Sequence, residues 1–427
     1  MSKKQFLKQT FKKSIMAALG LSMLGSLTAC NRFANPALSS SPNGSVRRVQ
    51  STSKASAYVP GQVVVQFRAN PHPAMVQQFA QQNNLQLLRV SPMGSALFQQ
   101  MGASSNTAML AQSLRQNNMV EYTHQNTWFR RQFTVNDPRS SEQAGLAVIG
   151  MGKAWDITMG DPSVVIAVID SGADLQHPDL APNMVPGYNV LSQGQTPPQD
   201  DNGHGTHASG IAVAVADNQL GVAGACPRCK LMPIKALDSE GAGTGFDVAM
   251  AVIWAVDNGA SVINMSLGGE TSDPTLERAV KYALSRNVSV VVAAGNEATD
   301  TRMYPAALPG VISVGSVDSS RNRSSFSNFG DWISVTAPGS NILSTMPMQS
   351  VFMTSSEGYY NEYDFMDGTS MAAPMVAGVV GLIRSRYPRL SPLQIKARLE
   401  GTAIDLGTPG FDTEFGNGMV DAVRAVL

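Results

Sequence analysis

The sequence predicts an α/β fold, a parallel sheet flanked by helices, preceded by a small α+β unit. Three observations carry that prediction. From about residue 140 onward, β-branched apolar runs alternate with segments of helical spacing. The runs are apolar at nearly every position rather than at every second one, so their strands are buried on both faces. The chain has 427 residues, 43% of them apolar, enough for two or three domains with a sizeable core. Charged residues make up only 15%, glycines number 38 and the formal net charge is zero. That balance fits a compact chain with many tight turns and gives no electrostatic reason for a nucleic-acid partner.

The N-terminal segment reads as an address rather than as fold. "MSKKQFLKQTFKK" carries five lysines, and "SIMAALGLSMLGSL" behind it has the length of a signal-peptide apolar region, short for a membrane span. It ends in "LTAC", where Cys30 directly follows small residues. The segment resembles a bacterial lipoprotein signal. That implies a leader at residues 1–29, a lipid on Cys30 and a membrane-anchored, extracytoplasmic product; an ordinary secretory signal is the alternative. Residues 30–57 are rich in Ser, Asn and Pro and predict a flexible tether.

Residues 58–125 make the small unit. "YVPGQVVVQF" is strand-like, "HPAMVQQFAQQNNLQLLRV" runs from helical spacing into a strand, and "TAMLAQSLRQNNMVEYTHQN" repeats helix then strand. A polar connector follows at residues 126–139. In the α/β region, residues 140–427, "SVVIAVIDSG", "ASVINMSLGG", "VSVVVAAGNE" and "GVISVGSVD" are strands, and "FDVAMAVIWAVDNG" and "PTLERAVKYALSRN" are helices between them. Sites in such sheets form at the carboxyl ends of strands. Asp170, Ser266 and Asn296 stand there.

Each candidate residue has a plain reading beside a chemical one. Asp170 ends a buried strand and needs a partner; it is a helix cap, a metal ligand or an orienting carboxylate. His204 and His207 sit one turn apart in "DDNGHGTHASGIA", where a metal pair or a single general base is possible. A metalloprotease helix would carry Glu after the first His, and none is present. Cys226 and Cys229 in "GACPRCKL" suit a local disulfide, a redox pair, or half of a zinc site with the two histidines. Ser370 opens the small-residue run "GTSMAAPMVAG", as an N-cap or as a nucleophile at a helix start. Asn296 is a turn residue or an oxyanion donor. The chain order Asp, His, Ser is one of the known orders of the serine-hydrolase triad. The α/β-hydrolase order fails, because no histidine follows Ser370. A dinucleotide site fails too, because "DSGADLQHP" is not a Gly-rich phosphate loop.

Taken together, "VIDSGADLQHPDL", "NGHGTHASGI", "SLGG", "AAGNE" and "GTSMAAPMVAG" resemble the motif set of the subtilisin-like serine proteases, over roughly residues 140 to 427. The resemblance implies a serine endopeptidase. It gives Asp170 as orienting acid, His204 as general base and acid, Ser370 as nucleophile and Asn296 as oxyanion donor, with His207 structural. It also implies that an extended substrate pairs beside Ser266, Leu267, Gly268 and Gly269. Ala293, Ala294 and Gly295 would wall the primary pocket, and Met303 near its base would keep it shallow. "VADNQLGVAG" resembles the family's calcium loop. The implied ligands are Asn218 by side chain, Ala216, Leu220 and Val222 by carbonyl, and the carboxylates of Asp179 and Asp137. Cys226 and Cys229 follow that loop and are expected to form a local disulfide. The 58–125 unit resembles the inhibitory prodomain, with self-cleavage in the connector. Protein or peptide substrates and the chain's own prodomain are the implied partners, beside a membrane held through Cys30.

Overall fold

The computed structural model describes residues 58–102, 106–127 and 134–427. The leader, the tether, Cys30 and residues 128–133 of the connector lie outside the described residues. Among the described residues, no helix is long and apolar enough to cross a membrane.

The first unit folds as β1 (Tyr58–Phe67), α1 (Pro73–Gln82), β2 (Leu85–Val90), β3 (Ser95–Gln100), α2 (Thr107–Leu114) and β4 (Val120–Thr127). The strands form an antiparallel sheet in the order β2-β3-β1-β4. Val63, Val65 and Phe67 point to one face, and Phe79 of α1 and Phe98 of β3 close on them. The β3 strand is absent from the strand–helix–strand, helix–strand layout expected above. Only Ala96 and Phe98 alternate inward along it, and its two terminal glutamines hide the period.

The second unit runs α3 (Ala144–Val148), α4 (Met151–Trp155), β5 (Val165–Asp170), β6 (Tyr188–Asn189), α5 (His204–Val213), β7 (Lys230–Lys235), α6 (Gly245–Asp257), β8 (Val262–Met265), α7 (Pro274–Ser285), β9 (Ser289–Ala293), β10 (Ile312–Val317), β11 (Val335–Pro338), β12 (Ile342–Thr345), β13 (Tyr363–Met366), α8 (Thr369–Arg386), α9 (Pro392–Thr402) and α10 (Ala422–Val426). Seven parallel strands order as β11-β10-β9-β8-β5-β7-β6, and β12 and β13 make a separate antiparallel pair.

The continuous apolar strands are explained by what covers each face. Ile166 and Val168 join a core with α5 and α8, while Ala167 and Ile169 join a second core with α6 and α7. Successive side chains therefore find an apolar layer whichever way they point. The two helices over the second core start at side-chain caps. Asp273 caps α7 with Pro274 at its first position, and the Thr244 hydroxyl accepts from the Asp247 N–H at the start of α6. All strands of the large sheet point their carboxyl ends the same way. That edge gathers Asp170, Ser266 and the segment after Ala293.

Candidate active site

β5 is apolar until its last residue, Asp170, whose carboxylate is fully buried. A buried anion requires hydrogen-bonded partners. The Ser171 N–H donates to Oδ1 at 2.8 Å, and His204 Nδ1 lies 2.8 Å from Oδ1 and 3.0 Å from Oδ2. A carboxylate only accepts, so Nδ1 carries the hydrogen and Nε2 is the basic nitrogen of the neutral ring. The His204 side chain keeps 20% of its surface exposed. Burial alone would pull the imidazole down; the Asp170 charge and hydrogen bond outweigh it, and its basicity ends above the ordinary value.

His207 stands one turn along α5 and has a different fate. It is fully buried, its Nε2 meets the Asp364 carbonyl at 3.0 Å, and burial pushes it down to about 3. It stays neutral and packed. Cys226 and Cys229 are bonded to each other, 2.04 Å between sulfurs, so neither offers a thiolate to a metal. The zinc alternative loses two of its four ligands.

Ser370 is the second residue of α8. Its hydroxyl donates to the Ser266 carbonyl at 3.2 Å, and the Ser266 hydroxyl returns a bond to the Ser370 carbonyl at 2.8 Å. The Ser370 hydroxyl is thus parked on the end of β8 rather than hydrogen-bonded to His204. The Asp–His leg of a triad is formed here, and the Ser–His leg is not.

Asn296 follows β9 and is clamped from α8. Its Oδ1 accepts from the Thr369 N–H at 2.8 Å and the Thr369 hydroxyl at 3.0 Å, while the Thr369 Oγ1 accepts from the Gly295 N–H at 3.0 Å. Asn296 is exposed, and its amide nitrogen has no hydrogen-bond partner among the described residues. Gly368, with φ +150°, has a backbone that L side chains rarely adopt, and a Cβ built on it would lie 3.5 Å from Asn296 Nδ2 and 3.6 Å from the Ser370 nitrogen. The Asn296 amide nitrogen, the Ser370 nitrogen and the Met371 sulfur therefore surround a spot kept open by a missing side chain. Thr369 lies inside "GTS", but nothing in that motif marks its role, because its contact is with a loop 73 residues away.

Of the expected substrate strand, Ser266 is buried and Gly268 and Gly269 are exposed. Gly269 exchanges both backbone bonds with Tyr304, at 2.9 and 2.8 Å, so its own N–H and carbonyl are already engaged. Ala293 and Ala294 are buried. Met303 packs against Gly295, its Cγ 3.1 Å from where a Cβ would stand. Asn328 holds this wall from behind, donating to the Ala294 carbonyl at 3.1 Å and the Glu297 carboxylate at 2.7 Å.

In the 215–224 loop, Asp137 accepts from the N–H groups of Asp217 and Asn218 at 3.0 and 3.3 Å. Asp179 accepts from Asn218 Nδ2 at 2.6 Å, Val222 N–H at 2.9 Å and the Tyr363 hydroxyl at 3.2 Å. Asn218 Oδ1 accepts from the Leu220 N–H at 2.8 Å. Burial pushes both carboxyl groups upward.

A family model for the subtilases matches residues 161–418, and one for the fervidolysin N-terminal prodomain matches residues 44–126. The chain belongs to the subtilase family. It is 36% identical to the thermophilic serine proteinase of Bacillus sp. (strain AK1), over 89% of this chain and 91% of that one. It is 41% identical to thermitase of Thermoactinomyces vulgaris, over 69% of this chain and 99% of that one. The crystal structure of fervidolysin from Fervidobacterium pennivorans, a keratinolytic enzyme, is similar at a TM-score of 0.63 and 29% identity, covering 88% of this chain and 62% of that one. This subtilase is a serine-type endopeptidase acting on proteins, with a prodomain that serves as its intramolecular inhibitor.

Proposed function

We propose that this subtilase is an extracytoplasmic endopeptidase, made as a self-processing precursor, in which Asp170, His204 and Ser370 form the triad and Asn296 stabilises the oxyanion. The observation that carries the reading is the Asp170–His204 pair at the same sheet edge as the Asn296 and Ser370 nitrogens that flank Gly368. A serine hydroxyl is a poor nucleophile until a base takes its proton. Ser370 turns from the Ser266 carbonyl to His204 Nε2, and its Oγ attacks the peptide carbonyl as the proton passes to the ring. Asp170 stabilises the imidazolium. The oxyanion sits between Asn296 Nδ2 and the Ser370 N–H. His204 then gives its proton to the leaving amine, the C–N bond breaks, and water repeats the sequence on the acyl-enzyme.

The substrate adds as a strand beside Ser266, Leu267 and Gly268, so main-chain bonds carry affinity. Ala293, Ala294, Gly295 and Met303 shape the primary pocket. The domain scheme is a leader at 1–29, a tether at 30–57, a prodomain at 58–125, a connector at 126–139 cut by the enzyme itself and a peptidase domain at 140–427. Cys30 is the proposed lipid attachment point. The expected outcome is casein hydrolysis abolished by a serine-directed covalent inhibitor, and a Ser370→Ala chain that keeps precursor length. Processing of that variant with no other protease present refutes self-cleavage.

The donor set of the 215–224 loop fits Ca²⁺. Asp137 and Asp179 are buried carboxylates, and the Ala216, Leu220 and Val222 carbonyls accept no hydrogen bond among the described residues. These are hard oxygens, which Ca²⁺ prefers. No group of three or more His, Cys, Asp or Glu that could hold a metal ion occurs among the described residues, so a Ca²⁺ bound here would draw on carbonyl and amide oxygens beside the two carboxylates. Ca²⁺ bound there would supply the positive charge that the two carboxylates lack. Adding millimolar Ca²⁺ to chelator-treated protein is expected to raise Tm, since a ligand at 100-fold its Kd adds about 2.7 kcal/mol. An Asp179→Asn chain should show a much smaller rise; an equal rise moves the site elsewhere.

A further inference from the structure

The helix that carries His204 begins without a cap of its own. Gly203 holds the N-cap position and has no side chain to offer. The first N–H groups of a helix need outside acceptors. Here three side chains supply them. The His204 N–H donates to Asn202 Oδ1 at 3.1 Å, the Gly205 N–H to Ser171 Oγ at 2.9 Å and the Thr206 N–H to Asp200 Oδ2 at 2.9 Å. Asp200 is 1% exposed and takes four further donors: the Ser171 hydroxyl at 2.9 Å, the N–H groups of Asn202 and Gly203 at 3.0 and 2.9 Å, and the Thr206 hydroxyl at 2.5 Å. All five donors are neutral dipoles, and no cation pairs with this carboxylate.

Ser171 is the joint between the two halves of the Asp–His pair. Its N–H donates to Asp170 Oδ1, while its hydroxyl accepts from Gly205 and donates to Asp200. A side chain at position 205 would meet the Gly172 carbonyl at 2.1 Å, so β5's end and α5's start touch backbone to backbone. The acid's strand and the base's helix are thereby locked together through one serine and one buried aspartate.

We infer that Asp200 is a positioning residue for catalysis, fixing the His204 helix against Asp170 through Ser171 and adding a second buried negative charge at the start of the helix that carries the imidazolium formed during peptide cleavage. The inference rests on the proposed role of His204 as base. The charged groups around the ring are few. Asp170 meets it from β5, the Asp200 carboxylate sits on the Thr206 N–H in the first turn of α5, and Asp174 reaches the same turn by donating its N–H to Thr206. Lys235 of β7 is one residue removed, its Nζ donating to the Ser171 carbonyl at 2.9 Å and Asp201 at 2.6 Å. His207 is neutral. The Asp200 charge is among the causes that raise the His204 basicity.

Asp200→Asn keeps the volume and removes the charge. The test is the pH profile of kcat/KM on a peptide substrate, with active sites counted by a serine-directed titrant. We expect kcat lower on the order of 10²-fold with KM changed less than about twofold, and the acid limb displaced to lower pH. A drop in kcat with the acid limb unmoved, or an unchanged kcat, overturns the inference. Should Asp200→Asn give no folded protein, Ser171→Ala carries the test. It keeps the charge and cuts the joint, so kcat should fall with the acid limb near its original place; unchanged kcat overturns the proposal. His204→Ala separates the two readings. If that variant retains activity, the base assignment fails. If it is inactive while Asp200→Asn behaves as wild type, only the present inference fails.

Discussion

The two sides of the proposed site are built in opposite ways. On the His204 side, carboxylate and imidazole already stand at hydrogen-bond distance, with the carboxylate fully buried. On the Ser370 side, the Asn296 amide is clamped by Thr369, but the Ser370 hydroxyl, the proposed nucleophile, rests on a neutral carbonyl at 3.2 Å. The difference follows what each group must do. Groups that stabilise charge are held in place beforehand, because reorganising dipoles during reaction is costly. The group that must move is held by a single neutral hydrogen bond, worth about 1 kcal/mol net and easily exchanged.

The contrast breaks most severely if Asp170 loses its charge. Asp170→Asn should lower kcat on the order of 10⁴-fold, because the amide no longer fixes the productive tautomer. The sign of the accompanying pH shift follows from the electrostatics. Asp170 lifts His204 above its ordinary value, so in the wild type kcat/KM falls as pH drops through that raised value. Without the carboxylate the imidazole protonates less readily, and the residual activity of the variant should hold to lower pH. A residual profile with its acid limb at wild-type pH means that another group sets the limb.

The triad candidates were legible because each lies in a short Gly-rich motif at a strand end or helix start. Asp170, His204 and Ser370 needed only their immediate neighbours and their order in the chain. The parts that escaped depend on distant partners. β7 carries Pro233, which cannot donate to a ladder, yet it pairs with β5 on one side and β6 on the other. β11, β12 and β13 are four-residue strands, too short to show a period. Thr369 clamps Asn296 across a sequence gap of 73 residues, and Asn328 braces the pocket wall across a gap of 34. Gly269 reads as part of the substrate strand, and only the fold reveals that Tyr304 already occupies its backbone groups. Local chemistry is written locally; the orientation of that chemistry is written in residues elsewhere.

The Ser370 side offers the finer test, because its clamp and its donor are separate residues. Asn296→Ala removes the donor and should lower kcat by about 10²–10³-fold with KM within about twofold. Thr369→Val keeps the backbone N–H to Asn296 Oδ1 and removes only the hydroxyl that also links Gly295. Its cost should be nearer tenfold in kcat, about 1.4 kcal/mol. If the hydroxyl acts solely by holding the amide, it has nothing to hold once Asn296 is alanine. The double variant should then be no slower than Asn296→Ala alone, a coupling that kcat values for the four proteins measure directly. Losses that simply multiply would show that Thr369 serves the reaction by another route, and the rigid-amide half of the contrast would have to be abandoned.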